Sequence, residues 1–558
     1  MKLNTEKITA FYFHTAIILR SVTGCFFLLT KFIVTAALPY ANGDLHLGGV
    51  MSTYLPADIY SRFLKLKGIE CNFVCATDEH GAPIEINAAK QEMSPKEFVD
   101  FYHERQEKDF KKLGVLFDVF HSTHSPENER LSQEFYLLLK EKGLIFKKKV
   151  LQTYCEKDKR VLPDRYVKGK CPFCKAEDQY GDSCEKCGKA YSTDELLEPY
   201  CVLCKSKPVK QEVEHSFFRL SKFGKSLEKW FEGKQGEVVN YVKNWLKDLQ
   251  DWDITRDGPY FGIQIPGEEN QFFYVWFDAP NGYIASLEKL TGKAKQEWAT
   301  SKIVHFIGKD ITYHHYLFWP AVLEGVGWKK PDLIPTRGYL TVEGEKMSKS
   351  RGTFVLLKDV LEKAPPDFLR YYLTSITPNN TSDVNFSWKD FSSKVNNELV
   401  NSLGNYFNRT LSFINSKYHG KVPSPGTLTA EDKEFEEKID SLYEKLDKKL
   451  DEVELKAGLE ELMSFVSDAN KYFNASEPWK KEGKARDSIM YLNAKAASVL
   501  AVAMAPFLPN SSEEILKQIS LKKQKWGFKG IKGGHVIGTP KPLYQKMEIE
   551  KTELEKAA

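Results

Sequence analysis

Apolar and polar positions alternate with two periods along this chain, and the change of period divides it. FIVTAAL (32–38) is a short, nearly continuous apolar run of the kind a buried strand requires, followed by the loop YANGDLHLGG. Leu55, Ile59, Phe63 and Leu66 then recur at helical spacing and predict an amphipathic helix with one apolar face. NFVCATD (72–78) predicts the next strand, with Asp78 at the carboxyl edge of a sheet, where open α/β sheets bind ligands. Together these stretches make a βαβ opening. Between about 145 and 215 the helical period vanishes, and Cys, Gly and Lys concentrate, which predicts an inserted segment held by metal. Apolar runs resume at FFYVWFDAP (272–280) and IVHFIGKD (303–310), both expected as strands running into loops, and a Gly-flanked basic loop follows at GEKMSKSRGT (344–353). From about 392 the pattern is helical. Phe435, Ile439, Leu442, Leu446, Leu450 and Val453 predict one long amphipathic helix after the SPG turn at 424–426, and another runs near 485–505 until PFLP (506–509). Past 520 the chain is rich in Lys and Gly, with little core-forming pattern, and reads as a solvated basic tail.

The fold class expected is α/β, a Rossmann-like parallel-sheet catalytic domain with a zinc-binding insertion, followed by an all-α helical bundle. The boundaries expected are a leader at 1–30, the two halves of the catalytic domain at 31–145 and 216–390, the insertion at 146–215, the bundle at 391–520 and the tail at 521–558. A length of 558 residues fits about two to four domains. Composition narrows the class only mildly: 42% hydrophobic, 28% charged and 13% aromatic residues describe a globular chain and exclude global disorder. A net charge of +4 is compatible with a nucleic-acid partner without requiring one. Residues 8–29 are apolar but interrupted by His14 and Arg20, leaving stretches too short to span a bilayer; they read as a leader or an over-long reading frame, with a membrane anchor as the alternative.

Ten cysteines are present, six of them in three C-x-x-C pairs between 171 and 204, a grouping that points to metal ligation in a reducing compartment. CPFC (Cys171, Cys174) and CEKC (Cys184, Cys187) have the spacing of a closed tetrahedral structural Zn²⁺ site. CVLC (Cys201, Cys204) needs partners from elsewhere. Cys71 and Cys75 lie in a strand and read as core residues.

Two separated stretches carry phosphate chemistry. In HLGG (46–49) glycines let backbone approach a ligand, and a helix N-terminus offers free N–H groups. In KMSKS (346–350) two lysines bracket Met-Ser and can stabilise charge on transferring phosphates. In this order, about 300 residues apart, they resemble the HIGH and KMSKS signatures of class I aminoacyl-tRNA synthetases. ALPYANG (37–43), YVWFDAP (274–280), FIGKDI (306–311) and KMSKSRGT (346–353) narrow the resemblance to the methionyl-tRNA synthetase family, and LPDRYVKGKCPFC (162–174) to its long archaeal or bacterial form, over about residues 31–520.

The resemblance implies a methionine–tRNA ligase, which activates L-methionine with Mg-ATP to methionyl-adenylate and passes the acyl group to the terminal ribose of tRNA(Met). It implies a methionine pocket of Ala37, Leu38, Tyr40, Trp276, Ala279, Pro280, Tyr283, Ile311 and His315, with Asp78 on the α-amino group and Arg256 as the ion-pair partner of Asp78. It implies ATP contacts from Tyr40, His46, Gly48, Gly49, Gly308, Asp310 and Lys349, and a catalytic set of His46, Asp78, Arg256, Lys346 and Lys349. Asn405, Arg409, Pro478 and Trp479 match the family's anticodon readers, and the two-metal members of the family suggest a second zinc held by Cys155, Asp158, Cys201 and Cys204. A cytoplasmic monomer is expected, because the chain ends before the appended C-terminal domain that some relatives carry. No membrane partner is expected.

Two residues depart from the family pattern. Gly49 stands where H-x-G-H has its second His, and losing one charge-assisted hydrogen bond costs ~1.5–3 kcal/mol, which slows an enzyme without abolishing it. Asn281 stands where an aliphatic residue is usual and bears on the packing of the methionine pocket. Two other readings remain open: a non-catalytic tRNA-binding paralogue with a decayed signature, and a class I synthetase for Ile, Leu, Val or Cys.

Overall fold

The computed structural model describes residues 31–162, 166–181, 184, 186, 187, 189, 191, 193–346 and 354–548. The proposed leader at 1–30 lies outside them.

The first expected strand runs Lys31–Ala36 and is buried from Phe32 onward. It pairs in parallel with Cys71–Thr77 on one side and with Ser301–Gly308 on the other. Val119–Ser122 and Thr336–Arg337 complete a five-stranded parallel sheet. Runs such as FIV and FVCA suit strands covered on both faces. The chain leaves the first strand in one direction for the next two and later returns on its opposite side. The order therefore reverses at the carboxyl end of Lys31–Ala36, where such sheets open a crevice.

The helix after HLGG runs through Leu66, with Leu55, Ile59 and Phe63 buried on its apolar face. Its first turns hold a π-helical segment, Val50–Tyr54. The expectation of a strand across 272–280 is corrected. Only Gln271–Phe273 is extended, pairing antiparallel with Thr255–Asp257, whereas Val275–Asp278 and Asn281–Thr291 are helical. The aromatic residues favour a strand locally, but burying Tyr283, Ile284 and Leu287 along one helix overrides that preference.

The insertion is built on a long antiparallel ribbon, Ile145–Cys155 against Val209–Phe218, in register from Ile145 opposite Phe218 to Tyr154 opposite Val209. The cysteine pairs lie between its two strands in sequence.

A nearly continuous helical rod from Trp388 to Tyr418 opens the α-helical part, which continues with Ala430–Leu450, Leu455–Ser476, Gly483–Ala503 and Pro509–Gln518. Thr429 and Asp432 form a reciprocal capping box on Ala430–Leu450. That helix stops at Leu450; Val453 is buried but lies beyond the end at φ 62°, so the predicted face is one residue too long. The reading of 521 onward as a solvated tail is also corrected. The Trp526 indole donates to Asp447 at 2.9 Å and its backbone N–H to the Leu66 carbonyl at 3.0 Å, while Ile531, Ile537 and Met547 are buried. These anchors are spaced too irregularly to show as a periodic pattern.

A fully buried ion pair, Arg370–Asp58 at 2.8 Å, joins the helix after HLGG to Pro366–Ile376, and the same guanidinium donates to the Pro506 and Phe507 carbonyls. Among the described residues no helix is long and apolar enough to cross a membrane.

Candidate active site

A cavity of ≈ 840 Å³ opens at the carboxyl ends of the central strands. Three connections converge on it. Ala37, Leu38 and Tyr40 follow the first strand, Asp78 follows the second, and Gly308, Asp310, Ile311 and His315 follow the strand Ser301–Gly308. Trp276, Ala279, Pro280 and Tyr283 enter from the helical turns after Gln271–Phe273, and His46, Gly48 and Gly49 from the start of the first helix. All ten residues expected for methionine therefore meet in one cleft with six of the seven expected for ATP; Lys349 lies outside the described residues.

His315 sets the character of the half of the cleft where methionine is expected. Its Nδ1 lies 3.1 Å from the Ile311 carbonyl, which can only accept, so Nδ1 carries the proton. Nε2 is then an acceptor, and the Tyr283 hydroxyl donates to it at 2.9 Å. Burial lowers the imidazole to about 4, so the ring stays neutral. The Trp276 ring stacks on His314 at 3.6 Å and stands edge-on to His315 at 6.3 Å. A neutral, aromatic, polarizable wall suits a thioether. Asn281 is buried beneath it, its amide N–H groups donating to Ser132 at 3.0 Å and to the Phe277 carbonyl at 3.1 Å. The amide N–H groups of this departure are thus paired, while its Oδ1 is buried without a partner among the described residues.

Asp78 supplies the charge. Its Oδ1 is buried without a hydrogen-bond partner. Burial, and the nearby charge of Asp278, push its pKa well above the usual carboxylate range. A buried carboxylate with one oxygen left unpartnered in a cleft calls for a cation. Arg256 is not that cation: the expected ion pair does not form. Arg256 lies over the Tyr274 ring at 3.8 Å and donates to the Thr255 carbonyl at 2.6 Å. Both residues still line the cleft. Behind Asp78, the fully buried His80 and Asp278 meet at 2.7 Å, and His80 reaches His124 at 3.1 Å. Sequence reasoning missed this pair, whose only signal is a His two residues after Asp78.

In the half expected to take the nucleotide, His46 caps the helix, its Nδ1 accepting from the Gly49 N–H at 3.4 Å. A Cβ on Gly308 would press on the Asp310 carboxylate, so a larger residue there would displace that side chain. Burial raises Asp310 above the ordinary range. The HLGG segment is joined through backbone to the residues that follow KMSKSRGT. Leu47 N–H donates to the Val355 carbonyl at 3.1 Å and Leu357 N–H to the Leu45 carbonyl at 2.8 Å, and Phe354 packs on the His46 ring at 5.2 Å. Glu345–Lys346 pairs with Leu340–Val342, so the residues before and after 347–353 are both tied to the cleft walls. The Lys346 side chain, like Lys349, is outside what the structure describes.

Away from the cleft, Cys171, Cys174, Cys184 and Cys187 bring their ligand atoms within 4.8 Å of one another, as do Cys155, Asp158, Cys201 and Cys204. Sulfur separations of 3.8 Å (Cys171–Cys187), 3.5 Å (Cys174–Cys184) and 3.4 Å (Cys155–Cys204) match the edge of a tetrahedron with metal–sulfur bonds of about 2.3 Å. Both clusters can hold a metal. Cys71 and Cys75 are buried in their strand, as expected.

On the helical part, Arg409 donates to Asn474 at 2.6 Å and to Asn470, and lies 4.2 Å over Phe473. Phe473 in turn packs on Trp479 at 6.2 Å. Trp479 is 54% exposed, Pro478 beside it is buried, and Asn405 is exposed one turn before Arg409. Phe473, which links these residues, was not singled out from sequence.

The family model for tRNA synthetases class I (M) matches residues 32–411, and that for the anticodon binding domain of methionyl tRNA ligase matches 422–557. The chain belongs to the methionyl-tRNA synthetase family. Among its relatives, the methionine–tRNA ligase of Myxococcus xanthus is 42% identical, over 93% of this chain and 77% of that protein. The enzyme of the same name from Methanosphaera stadtmanae is 39% identical, over 95% of this chain and 82% of its own length. In fold, the crystal structure of Mycobacterium tuberculosis methionyl-tRNA synthetase bound by methionyl-adenylate superposes with a TM-score of 0.78 at 22% identity, covering 92% of this chain and 100% of that one.

Proposed function

We propose that this member of the methionyl-tRNA synthetase family is an active methionine–tRNA ligase, working as a cytoplasmic monomer on L-methionine, ATP with Mg²⁺, and tRNA(Met). One observation carries the reading: a single cleft joins a neutral aromatic slot, a buried carboxylate with one oxygen unpartnered and a helix N-terminus flanked by the segment that follows KMSKS.

In this reading Trp276, Tyr283, Ile311 and His315 grip the thioether, with Ala37, Leu38, Tyr40, Ala279 and Pro280 closing the slot. Asp78 takes the α-ammonium, and Arg256 stands by at the rim. Gly48, Gly49, Gly308 and Asp310 receive the nucleotide. The carboxylate of methionine attacks the α-phosphorus of ATP, an oxygen–phosphorus bond forms as the one to pyrophosphate breaks, and the leaving charge passes towards His46, Lys346 and Lys349. This is positioning and charge stabilisation more than covalent chemistry by the protein. The ribose hydroxyl of tRNA then takes the acyl group and releases AMP. Asn405, Arg409, Pro478 and Trp479 meet the anticodon, Trp479 by stacking on an unpaired base. Each cysteine cluster holds a Zn²⁺, which when bound supplies rigidity to the insertion.

The non-catalytic alternative gains little from the site, since His46 and Asp78 both line the cleft and the departures at Gly49 and Asn281 leave that lining together. Methionine-dependent ATP–pyrophosphate exchange tests the proposal. Exchange with methionine and not with Ile, Leu, Val or Cys is expected; none with methionine would overturn it.

A further inference from the structure

The first turns of the helix after HLGG do not follow α-helical geometry. Leu55 N–H donates to the Val50 carbonyl, five residues back, and closes a π-turn. In a regular α-helix, residues five apart stand about 140° apart around the axis; the wider turn reduces that angle. Tyr54 thereby returns over the face that carries Gly49. A Cβ at Gly49 would lie 3.1 Å from Tyr54 Cε2 and 3.6 Å from its hydroxyl oxygen. Gly49 sits at φ −65°, ordinary for any residue, so its backbone does not demand glycine. The Tyr54 ring is what fills the space a side chain at 49 would take.

Tyr54 is 6% exposed and lines the cleft. Its ring packs edge-on to Phe110 at 4.8 Å, but its hydroxyl has no hydrogen-bond partner among the described residues. Its neighbours differ in this: Ser52 donates to the Gly48 carbonyl at 2.9 Å and Thr53 to the Gly49 carbonyl at 2.7 Å. The ring is buried while the hydroxyl stays reachable from the cleft, so a ligand oxygen there can accept from it. Burial, with smaller effects from Cys75, Tyr283 and Asp310, pushes the phenol well above its ordinary range. It therefore keeps its proton and acts only as a donor.

We propose that Tyr54 is a nucleotide-binding residue of this cleft, its hydroxyl donating to an anionic oxygen of bound ATP from the space a second signature histidine would occupy at position 49. The proposal rests on the ligase reading above. The nucleotide is favoured over the amino acid because Tyr54 shares its helix start with His46 and Gly48 and its ring and hydroxyl lie against Gly49, all on the side expected to take the nucleotide. A neutral donor also supplies the hydrogen bond without setting a new titrating charge beside Asp310.

Tyr54→Phe in the full chain removes one hydroxyl and keeps the ring against Gly49 and Phe110. In methionine-dependent exchange, kcat/KM for ATP should fall about 10- to 100-fold while the KM for methionine stays within about twofold. An ATP response within twofold of the unaltered protein, or a loss confined to the methionine KM, overturns the proposal. A second pair of variants tests the shared space. Tyr54→Ala opens it, and Gly49→His added to Tyr54→Ala should restore about tenfold of what Tyr54→Ala loses, with melting temperatures showing that both fold. A folded double variant that recovers nothing shows that the phenol and a histidine at 49 serve different partners, which also overturns it. Absence of exchange by the unaltered protein would overturn the ligase reading and this proposal together; exchange by it with an unchanged Tyr54→Phe overturns this one alone.

Discussion

Single side chains in the methionine half carry separable duties. Among the described residues, the Tyr283 hydroxyl is the sole hydrogen-bond donor to His315 Nε2, within a fully buried pocket wall. Tyr283→Phe would strand that acceptor, at a cost of ~1–3 kcal/mol. The KM for methionine should rise about 5- to 150-fold with the KM for ATP unchanged, read by varying each substrate in the exchange assay; equal changes in both would disprove the division of labour. At this scale the sequence was informative for residues lying within long motifs, such as Trp276 and His315. It was uninformative where the decisive fact is a contact across the fold. Nothing near DWDITRD shows that Arg256 prefers the Tyr274 ring to Asp78, and nothing in STYLP shows that Tyr54 swings back over Gly49.

Elements are held by chemistry that responds to solution conditions. His215, on the ribbon strand Val209–Phe218, is hydrogen-bonded to Asp253 and to Asp257 at 2.7 Å each. Against the lowering effect of burial, these carboxylates raise its pKa to about 9. A group whose folded value lies above its unfolded value of about 6.5 stabilises fully below that value and ceases to do so as pH rises through about 9. The difference in melting temperature between the unaltered protein and His215→Gln should therefore be widest below pH ~6.5 and shrink towards pH ~9, and a difference independent of pH would refute the account. The metal clusters make a second demand. Elemental analysis should find two zinc ions per chain and one in Asp158→Ala, whereas one in both would remove the Cys155 cluster from consideration. Elements were legible where periodicity and burial agree, as in Lys31–Ala36 and Ala430–Leu450. They were illegible at 274–280, where aromatic composition mimics a strand, and past 520, where anchors such as Trp526 and Ile537 are not periodic.

On the scale of the whole molecule, the cleft and the Arg409–Phe473–Trp479 surface belong to different parts of one chain, which the two activities can separate. Trp479→Ala removes an exposed ring that supports neither the cleft nor the sheet. It should leave pyrophosphate exchange unchanged while lowering the rate of tRNA(Met) charging by about 10-fold or more, on the scale of one lost base stack. Comparable losses in both assays would mean that the surface acts on folding and not on tRNA. The return of residues 521–548 across both parts has its own consequence. Trp526 lies edge-on to Phe63 at 5.2 Å and to Tyr443 at 4.9 Å, one ring from each part of the molecule. A version of the protein trimmed at residue 520 would lay both of those rings bare, and it would clump in solution well before its helices melted.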